Sequence, residues 1–369
     1  MDSIQEFINL FKEFPFIIKV MWGIAILSLL ILVELTIHLK ILRKRLRRHE
    51  ASLLKFQNEY EELLISYLYA SEETGELNKV QKKINSKIKL GLFKNFKRKI
   101  FVDVMIKLMN EVSGEVVEDL RKLYRELDLV KYAKLKLHHE KWHVIAIGIR
   151  DLRRFKIHEV ADEVIGLINH PQEEVRREAH LYFLNVFNFK GLDFLSQLKA
   201  SLSEWDQIGF FSVLQKFDEQ EIPDLTKWLL SENDYVVLFT LNLVKIYNRI
   251  ETKETLLKLL NHKNCEVRCK VIELLDYFYV VDAKPTLLRI YPELTEKEKN
   301  RVFRFLENMN DDEDAHFIFN HIETASFDSR VIGLKILKEL NAPMFFELKE
   351  QTEDEQTHKI FNFIENNQK

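Results

Sequence analysis

Histidine and glutamate residues near the middle of the chain form a group whose spacing could hold a metal ion. The group consists of His138-His139-Glu140 with His143, followed by the pair His158-Glu159. Imidazole and carboxylate ligands together suit non-haem iron, but such a site needs several ligands that converge on an open position. The two His-Glu pairs of this group lie nineteen residues apart, and the second half of the chain has no such pair. The sequence therefore favours a solvated helix boundary over an iron site.

A second group contains His262, Cys265 and Cys269. The two cysteines are four residues apart, so they share one face of a helix, and the histidine precedes them in a turn. A structural zinc site normally needs four nitrogen or sulfur ligands, and only three are present here. Because a free cysteine commonly behaves as a small buried apolar side chain, the sequence predicts no metal site at this position.

Loops that cradle phosphate or present a nucleophile are missing from the sequence. The chain has 9 glycines, and none of them forms G-x-G-x-x-G, G-x-x-x-x-G-K-[ST] or G-x-S-x-G. The sequence thus predicts a protein that is not an enzyme and that needs no cofactor. A small-molecule substrate is not expected either.

An apolar run near the N-terminus predicts a membrane anchor. The run extends from Phe16 to Ile37, and the part from Val20 to Val33 has no charged residue. Its 22 residues reach ~33 Å as a helix, enough to cross a hydrocarbon core of ~30 Å. Six basic residues follow the run, namely Lys40, Arg43, Lys44, Arg45, Arg47 and Arg48. Because basic flanks stay on the cytoplasmic side, we expect a single-pass protein of the cell (inner) membrane, with its N-terminus outside and its C-terminal part cytoplasmic.

A cleaved signal peptide and a buried core helix fit this apolar run less well than a membrane anchor does. A signal peptide has a basic start and a shorter apolar run, whereas the first fifteen residues here carry three acids and one lysine. A buried core helix would account for Lys19 and Glu34 within the run. Both residues lie near its ends, however, where their side chains can reach the headgroups.

Composition indicates an all-α protein. Only 9 glycines and 6 prolines occur in 369 residues, which leaves little material for the tight turns of an all-β fold. Hydrophobic residues make up 46% of the chain, enough for a large core. Both cysteines lie in the predicted cytoplasmic part, so we expect no disulfide framework.

From Trp142 onward the sequence repeats a pattern of two short amphipathic helices joined by a polar turn. In NHPQEEVRREAHLYFL and NHKNCEVRCKVIELL, the second helix opens with Val175-Arg176 and Val267-Arg268. The equivalents of the arginine along the chain are His143, Arg176, Gln207, Val237, Arg268, Arg301 and Arg330, with gaps of 33, 31, 30, 31, 33 and 29 residues. A sustained period near 31 with helix–turn–helix content predicts an α-solenoid.

These units resemble the short HEAT-like repeats, and the resemblance covers Trp142 to Ile364. It implies that Val175 and Val267 pack between paired helices. It also implies that Arg176, Arg268 and Arg330 form hydrogen bonds within or between repeats. Two enzyme classes carry similar repeats and remain alternatives: a metal-dependent hydroxylase, similar to deoxyhypusine hydroxylase with its four His-Glu steps and two irons, and a phycobilin lyase. A nucleic-acid-binding solenoid is a third alternative.

The sequence also predicts domain boundaries. We expect a short extracytoplasmic N-terminus over residues 1–15 and a transmembrane helix over 16–39. A basic, membrane-proximal helical linker over 40–99 should follow, and then a helical cap of the solenoid over 100–141. About seven HEAT-like helical pairs should occupy residues 142–369.

A basic segment within the linker could bind lipid or a partner. It contains nine basic residues and no acid: Lys79, Lys82, Lys83, Lys87, Lys89, Lys94, Lys97, Arg98 and Lys99. Isoleucine, leucine and phenylalanine alternate with these cations, a mixture that suits an anionic membrane surface. A solvated helix face is an equal alternative. An acidic protein partner comes next, and nucleic acid last.

The repeats and the anchor together predict a scaffold. Solenoids bind proteins along extended concave surfaces. Acidic runs in the C-terminal third, such as Asp311-Asp312-Glu313-Asp314, would select basic partners if they faced such a surface. The layout is similar to bacterial HEAT-repeat membrane proteins encoded beside glycosyltransferases. This resemblance implies an accessory role in an envelope polysaccharide system, with a glycosyltransferase as a candidate partner.

Overall fold

The computed structural model describes residues 15–70, 78–217 and 222–366, and every regular element within them is helical. The predicted all-α class is therefore confirmed. The predicted extracytoplasmic segment lies outside the described residues except for Pro15. The chain divides into two compact units, Met1–Leu129 and Val130–Lys369. This division falls inside the segment that the sequence predicts as a solenoid cap, residues 100–141.

The first unit is built on one very long helix. Its helices are α1 (Phe16–Tyr69), α2 (Lys79–Leu92), α3 (Asn95–Glu111) and α4 (Glu115–Glu126). Helix α1 has 54 residues and starts directly after Pro15. No proline interrupts it and its second half is rich in Leu, Glu, Lys and Arg, so the apolar run continues into the basic flank without a break.

Helices α2 and α3 pack against the C-terminal half of α1. On α1 the buried side chains are Tyr60, Leu64 and Tyr67, at helical spacings of four and three residues. The ring of Tyr60 meets that of Phe101 on α3 edge-on at 5.2 Å. Among the residues that the structure describes, the buried side chains of α1 all lie in this half.

The second unit is an array of helix pairs. The first helix of each pair is short: α5 (Leu129–Leu137), which begins at the boundary, then α7 (Ala161–Ile165), α10 (Thr226–Leu229), α12 (Lys253–Leu259), α14 (Lys284–Ile290), α16 (Asp314–His321) and α18 (Ala342–Gln351). The second helices are α6 (Trp142–Arg154), α8 (Glu173–Phe187), α9 (Glu204–Leu214), α11 (Asp234–Ile246), α13 (Cys265–Tyr277), α15 (Glu296–Met309), α17 (Phe327–Leu340) and α19 (Glu355–Asn366). A 3₁₀ segment, Asn188–Gln197, precedes α9 in place of a first helix.

The second helices give the true register of the repeat. From α6 to α17 their first residues are 31, 31, 30, 31, 31 and 31 positions apart. The fourth residue of the second helix is Arg176 in α8, Arg268 in α13 and Arg330 in α17, as predicted. It is Ile145 in α6 and Lys299 in α15. The assignments of His143 and Arg301 to this position were therefore each wrong by two residues, because a basic or polar residue nearby imitated the arginine.

Consecutive second helices stack on one another. Helix α6 packs on α8 and α8 on α9, and the series α11, α13, α15, α17 and α19 continues in the same way. Between α9 and α11 large aromatic rings fill the space, with Phe239 lying 5.6 Å from Phe210 and 5.3 Å from Phe211. Packing in which each repeat contacts its neighbours is that of a helical repeat array.

A buried histidine makes this array sensitive to acid. His180 on α8 is buried, its Nε2 lies 2.9 Å from the Ile168 carbonyl oxygen, and its ring stacks on Phe194. Burial lowers the pKa of His180 to about 4, from 6.5. The unfolded chain therefore binds a proton below pH 6.5 that the folded chain does not, and stability falls as the pH drops towards 4.

We predict that acidification from pH 7 to pH 5 lowers the unfolding free energy by about 2 kcal/mol through His180 alone. Urea unfolding at the two pH values measures this. A His180→Gln variant keeps a donor for the Ile168 carbonyl but does not titrate, so its loss of stability on acidification should be smaller by that amount. Equal losses in the two proteins would refute the assignment.

Candidate functional site

The N-terminal half of α1 presents an exposed apolar surface. This helix contains a stretch long and apolar enough to cross a membrane, and none of that stretch is buried inside the protein. Side chains around the helix, such as Ile24, Leu27 and Leu30, are more than half exposed. A core helix of a soluble protein would instead bury at least one face.

The predicted basic flank forms a strip on α1. Lys40, Arg43, Lys44, Arg47 and Arg48 line one open groove along the helix, because their spacings of three and four residues place them on one face. Arg45 lies outside this groove, and all six side chains are exposed. The strip directly follows the apolar half, where lipid headgroups would lie around a spanning helix.

The predicted patch from Lys79 to Lys99 spans α2, the turn and the start of α3, and most of its cations face solvent. Three of them have partners on α1 or in the turn. Lys87 Nζ lies 3.7 Å from Glu59, Lys97 Nζ lies 4.1 Å from the centre of the Phe56 ring, and Arg98 donates to the Leu92 carbonyl. The remaining members are exposed: Lys79, Lys82, Lys83, Lys89, Lys94 and Lys99.

The apolar residues of this patch divide into two groups. Ile88 and Leu92 are buried against the unit's core, as is Ile100 at the start of the next turn of α3. Leu90 and Phe93, in contrast, are exposed at the end of α2. The patch is thus neither a simple solvated face nor a continuous basic surface, since its turn carries exposed apolar side chains among cations.

The predicted repeat residues make internal contacts in the second unit. Val175 and Val267 are fully buried. Arg176 Nη1 donates to the His170 and Pro171 carbonyls at 2.8 and 2.9 Å. Two more arginines bond the carbonyls of the turns before them: Arg268 Nη1 donates to His262 at 2.6 Å and Arg330 Nε to Ala325 at 2.8 Å.

Arginines also join successive repeats. Arg177 Nε donates to Asp206 at 3.0 Å, Arg268 Nε to Glu298 at 2.5 Å, and Arg330 Nη1 to Asp354 at 3.0 Å. Asp206 and Glu298 are buried at the third position of their helices, where they complete capping boxes with Ser203 and Thr295. Sequence analysis missed both acceptors, although Ser-x-x-Asp and Thr-x-x-Glu before a helix are recognisable capping signals.

The histidine and glutamate group does not converge. Glu163 lies 3.5 Å from His138 Nε2, whereas His139 Nδ1 accepts a hydrogen bond from the Lys141 amide at 3.0 Å. The ring of His158 packs edge-on against Phe187 at 5.1 Å. Within residues 15–70, 78–217 and 222–366, no group of three or more His, Cys, Asp or Glu side chains is arranged to hold a metal ion.

The side chains of the group His262, Cys265 and Cys269 have other contacts. His262 Nδ1 accepts from the Asn264 amide at 3.1 Å, and its Nε2 faces Asp234 at 3.8 Å. Cys269 is buried, and burial raises its pKa to about 11. Its thiol therefore stays protonated at neutral pH and is a poor nucleophile or metal ligand.

The acidic run at Asp311 is partly engaged inside the repeat array. Lys284 is buried and makes ion pairs with Asp311 and with Asp314, the latter at 2.9 Å. These two acids therefore already have a cation within the chain. The other two members of the run, Asp312 and Glu313, are exposed.

Comparisons with protein-family models and with curated proteins find no match. Among solved structures, the chain is similar to an engineered protein, with 14% identity, coverage of 84% of this chain and 88% of that chain, and a TM-score of 0.33. It is also similar to the complex of CpcE and CpcF of phycocyanin lyase from Nostoc, with 12% identity, coverage of 80% and 97%, and a TM-score of 0.24. TM-scores this low carry no argument about function.

Proposed function

We propose that this protein is a membrane-anchored scaffold whose helical repeats bind a protein partner on the cytoplasmic side. The observation that carries the proposal is the exposed apolar stretch of α1, none of which is buried inside the protein, followed at once by a basic strip. An exposed apolar surface of this size would aggregate in water, whereas a bilayer would cover it completely. The basic strip then favours a cytoplasmic location for everything that follows it.

Two arginine substitutions test the anchor without disturbing the fold. In Leu27→Arg/Leu30→Arg, both new charges lie near the middle of the apolar half, where each costs about 3 kcal/mol in a bilayer. Because both leucines are exposed, folding of the two units should be unchanged. We expect the variant to move from the carbonate-resistant membrane fraction to the soluble fraction. The matched control, Leu54→Arg, changes an equally exposed leucine beyond the basic strip and should stay in the membrane.

Removal of residues 1–37 should have the same effect on location while the repeats still fold. A truncated chain that stays in the carbonate-resistant membrane fraction would show that α1 is not the anchor. Orientation is tested separately by a fluorescent protein fused to the C-terminus, which should fluoresce because it stays in the cytoplasm. If a reporter enzyme that is active only outside the cytoplasm works when fused to the C-terminus, the topology is the reverse of the proposed one.

The second unit offers exposed aromatic side chains for a partner. Trp205 on α9 and Tyr279 after α13 are each more than two-thirds exposed, and tryptophan and tyrosine dominate protein interfaces. A photo-crosslinking amino acid at Trp205 in native membranes should capture the partner. The same amino acid at Lys258, an exposed residue of α12, is the control and should not capture it. Capture of a glycosyltransferase would support an accessory role in an envelope polysaccharide system. Capture of soluble cytoplasmic proteins alone would contradict that role.

A further inference from the structure

The turn between α2 and α3 exposes large apolar side chains. Leu90 is 76% exposed and Phe93 is 78% exposed, and Phe96 at the start of α3 is also exposed. Single exposed apolar residues are common on protein surfaces. Three of them at one turn, at spacings of three residues and among lysines, have the composition of a surface that inserts into a lipid interface.

This turn points back along α1 towards its apolar half. Helix α2 starts beside the end of α1, where Gln81 Nε2 donates to the Tyr67 carbonyl at 3.2 Å. It then runs antiparallel to α1, and after the turn the ring of Phe96 lies 5.1 Å from that of His49. His49 directly follows Arg48, the last residue of the basic flank. The start of α3, directly after the exposed turn, therefore lies level with the end of that flank.

One face of α1 connects the apolar half to this turn without a charged residue. Leu35, Leu39, Leu42, Leu46 and then His49 follow one another at spacings of four and three residues, so they form a single stripe. All four leucines are exposed. The groove cations Lys40, Lys44 and Arg47 lie about 140–200° around the helix from Leu42, at 3.6 residues per turn. Arg43 and Arg45 lie closer to the stripe, at about 100° and 60° to either side of Leu42. The apolar surface thus reaches further along α1 on the side of the turn than on the opposite side.

The charges around the turn complement an anionic surface. Lys89 and Lys94 flank Phe93, both are exposed, and neither has a carboxylate partner within the described residues. The segment from Lys79 to Lys99 contains no acid. Basic residues near an anionic membrane are attracted by its negative surface potential, so a few of them would hold the turn against the headgroups.

We infer that the α2–α3 turn is a second membrane contact, with Leu90 and Phe93 at the boundary between headgroups and acyl chains and with Lys89 and Lys94 on the phosphates of anionic phospholipid. Burial of Leu42 and Leu46 in the bilayer would tilt α1 from the membrane normal towards the side of the turn. This tilt brings the turn to the membrane interface. This inference rests on the proposed anchor. It adds that the first unit lies on the bilayer, held at two points, rather than standing away from it on a stalk.

Environment-sensitive labels on the full chain in nanodiscs test the contact. Cys265→Ser/Cys269→Ala removes the two native cysteines, so that a single new cysteine can carry the fluorophore. Three variants are compared: Phe93→Cys at the turn, Val80→Cys at the other end of α2, and Leu27→Cys inside the apolar half of α1. Nanodiscs of phosphatidylcholine, with and without phosphatidylglycerol, carry a nitroxide-labelled lipid as the quencher. We expect the Phe93 label to shift to the blue and to be quenched, more strongly with phosphatidylglycerol, whereas the Val80 label keeps the emission of a solvent-exposed site.

The three positions separate the failure of this inference from the failure of the anchor. Quenching at Leu27 with solvent-like emission at Phe93 in both lipid mixtures would overturn the second contact while leaving the anchor in place. Under that outcome the exposed turn would instead be a surface for an apolar protein partner. Absence of quenching at Leu27 would overturn the anchor itself. Equal quenching at Phe93 and Val80 would also contradict the inference, because it would mean that α2 lies flat rather than contacting lipid with its turn.

Discussion

Arg268→Ala is expected to lower the free energy of unfolding of the repeat array by about 3 kcal/mol, because it leaves a buried carboxylate without its cation. The Glu298 side chain is 0% exposed, and Arg268 Nε lies 2.5 Å from it. Burial raises the pKa of Glu298, but hydrogen bonds from Arg268 and Thr295 outweigh burial and hold the pKa below its ordinary value. Without the arginine, burial dominates, so the carboxyl group must either remain charged at a cost or take up a proton.

The same two helices supply a matched control for this prediction. Lys297 on α15 pairs with Glu266 on α13 at 2.6 Å, but both side chains are more than half exposed. Lys297→Ala should therefore destabilise the array far less than Arg268→Ala does, because solvent screens an exposed ion pair. Urea midpoints of the full chain in detergent compare the two variants, and hydrogen exchange of α13 and α15 localises the change. Similar losses in the two variants would show that burial does not decide the strength of these inter-repeat pairs.

Arg268→Ala is also expected to lose more stability than Lys297→Ala because Arg268 has two structural roles at once. Its Nε joins its helix to the next repeat, while Nη1 donates to the His262 carbonyl in the preceding turn. Within the described part of the chain, the hydrogen bonds of Arg176 go to its own turn, and its neighbour Arg177 supplies the bond to the next repeat. The repeat thus needs both bonds but does not always obtain them from one residue. For this reason the arginine position alone is an incomplete signature of the repeat.

Much of the fold is predictable from the sequence because hydrophobic period and helix content are local properties. The predicted period near 31, for example, agrees with the second helices, whose first residues from α6 to α17 lie 30 or 31 positions apart. The register of the repeat was predicted less accurately than its period, because His143 and Arg301 were each misplaced by two residues. Helix starts depend on capping groups such as Thr295 with Glu298, which fix the register more firmly than the residue type at the fourth position does.

The candidate site was predictable in composition but not in geometry. The sequence shows nine basic residues from Lys79 to Lys99, yet it does not show which of them meet partners. Glu59 and Phe56, which engage Lys87 and Lys97, lie about thirty to forty residues earlier on α1. The exposure of Phe93 likewise depends on how α2 and α3 fold back along α1. Such contacts join distant parts of the chain, and hydrophobic periodicity within one segment does not specify them.

Gly191→Ala is expected to destabilise the array by about 3 kcal/mol, since the new methyl group has no space. Gly191 lies in the 3₁₀ segment that precedes α9, and a Cβ there would meet the backbone carbonyl of Phe183 well inside van der Waals contact and the Leu184 nitrogen at 3.0 Å. These are backbone atoms of α8, so no side-chain rotation relieves the clash. The segment would have to move away from α8, and the stacking of α8 on α9 would loosen.

Gly209→Ala should have the opposite sign, which makes it a sharp control. Gly209 lies within α9, and a Cβ added there would meet no described atom within 4 Å apart from the backbone of its own helix. Replacing glycine by alanine inside a helix then stabilises it by about 1 kcal/mol, because the unfolded chain loses conformational freedom. Urea unfolding of both variants should move the midpoint in opposite directions. If both substitutions destabilise the protein alike, α9 does not tolerate added volume either, and the close approach of Gly191 to α8 is not what distinguishes the two sites.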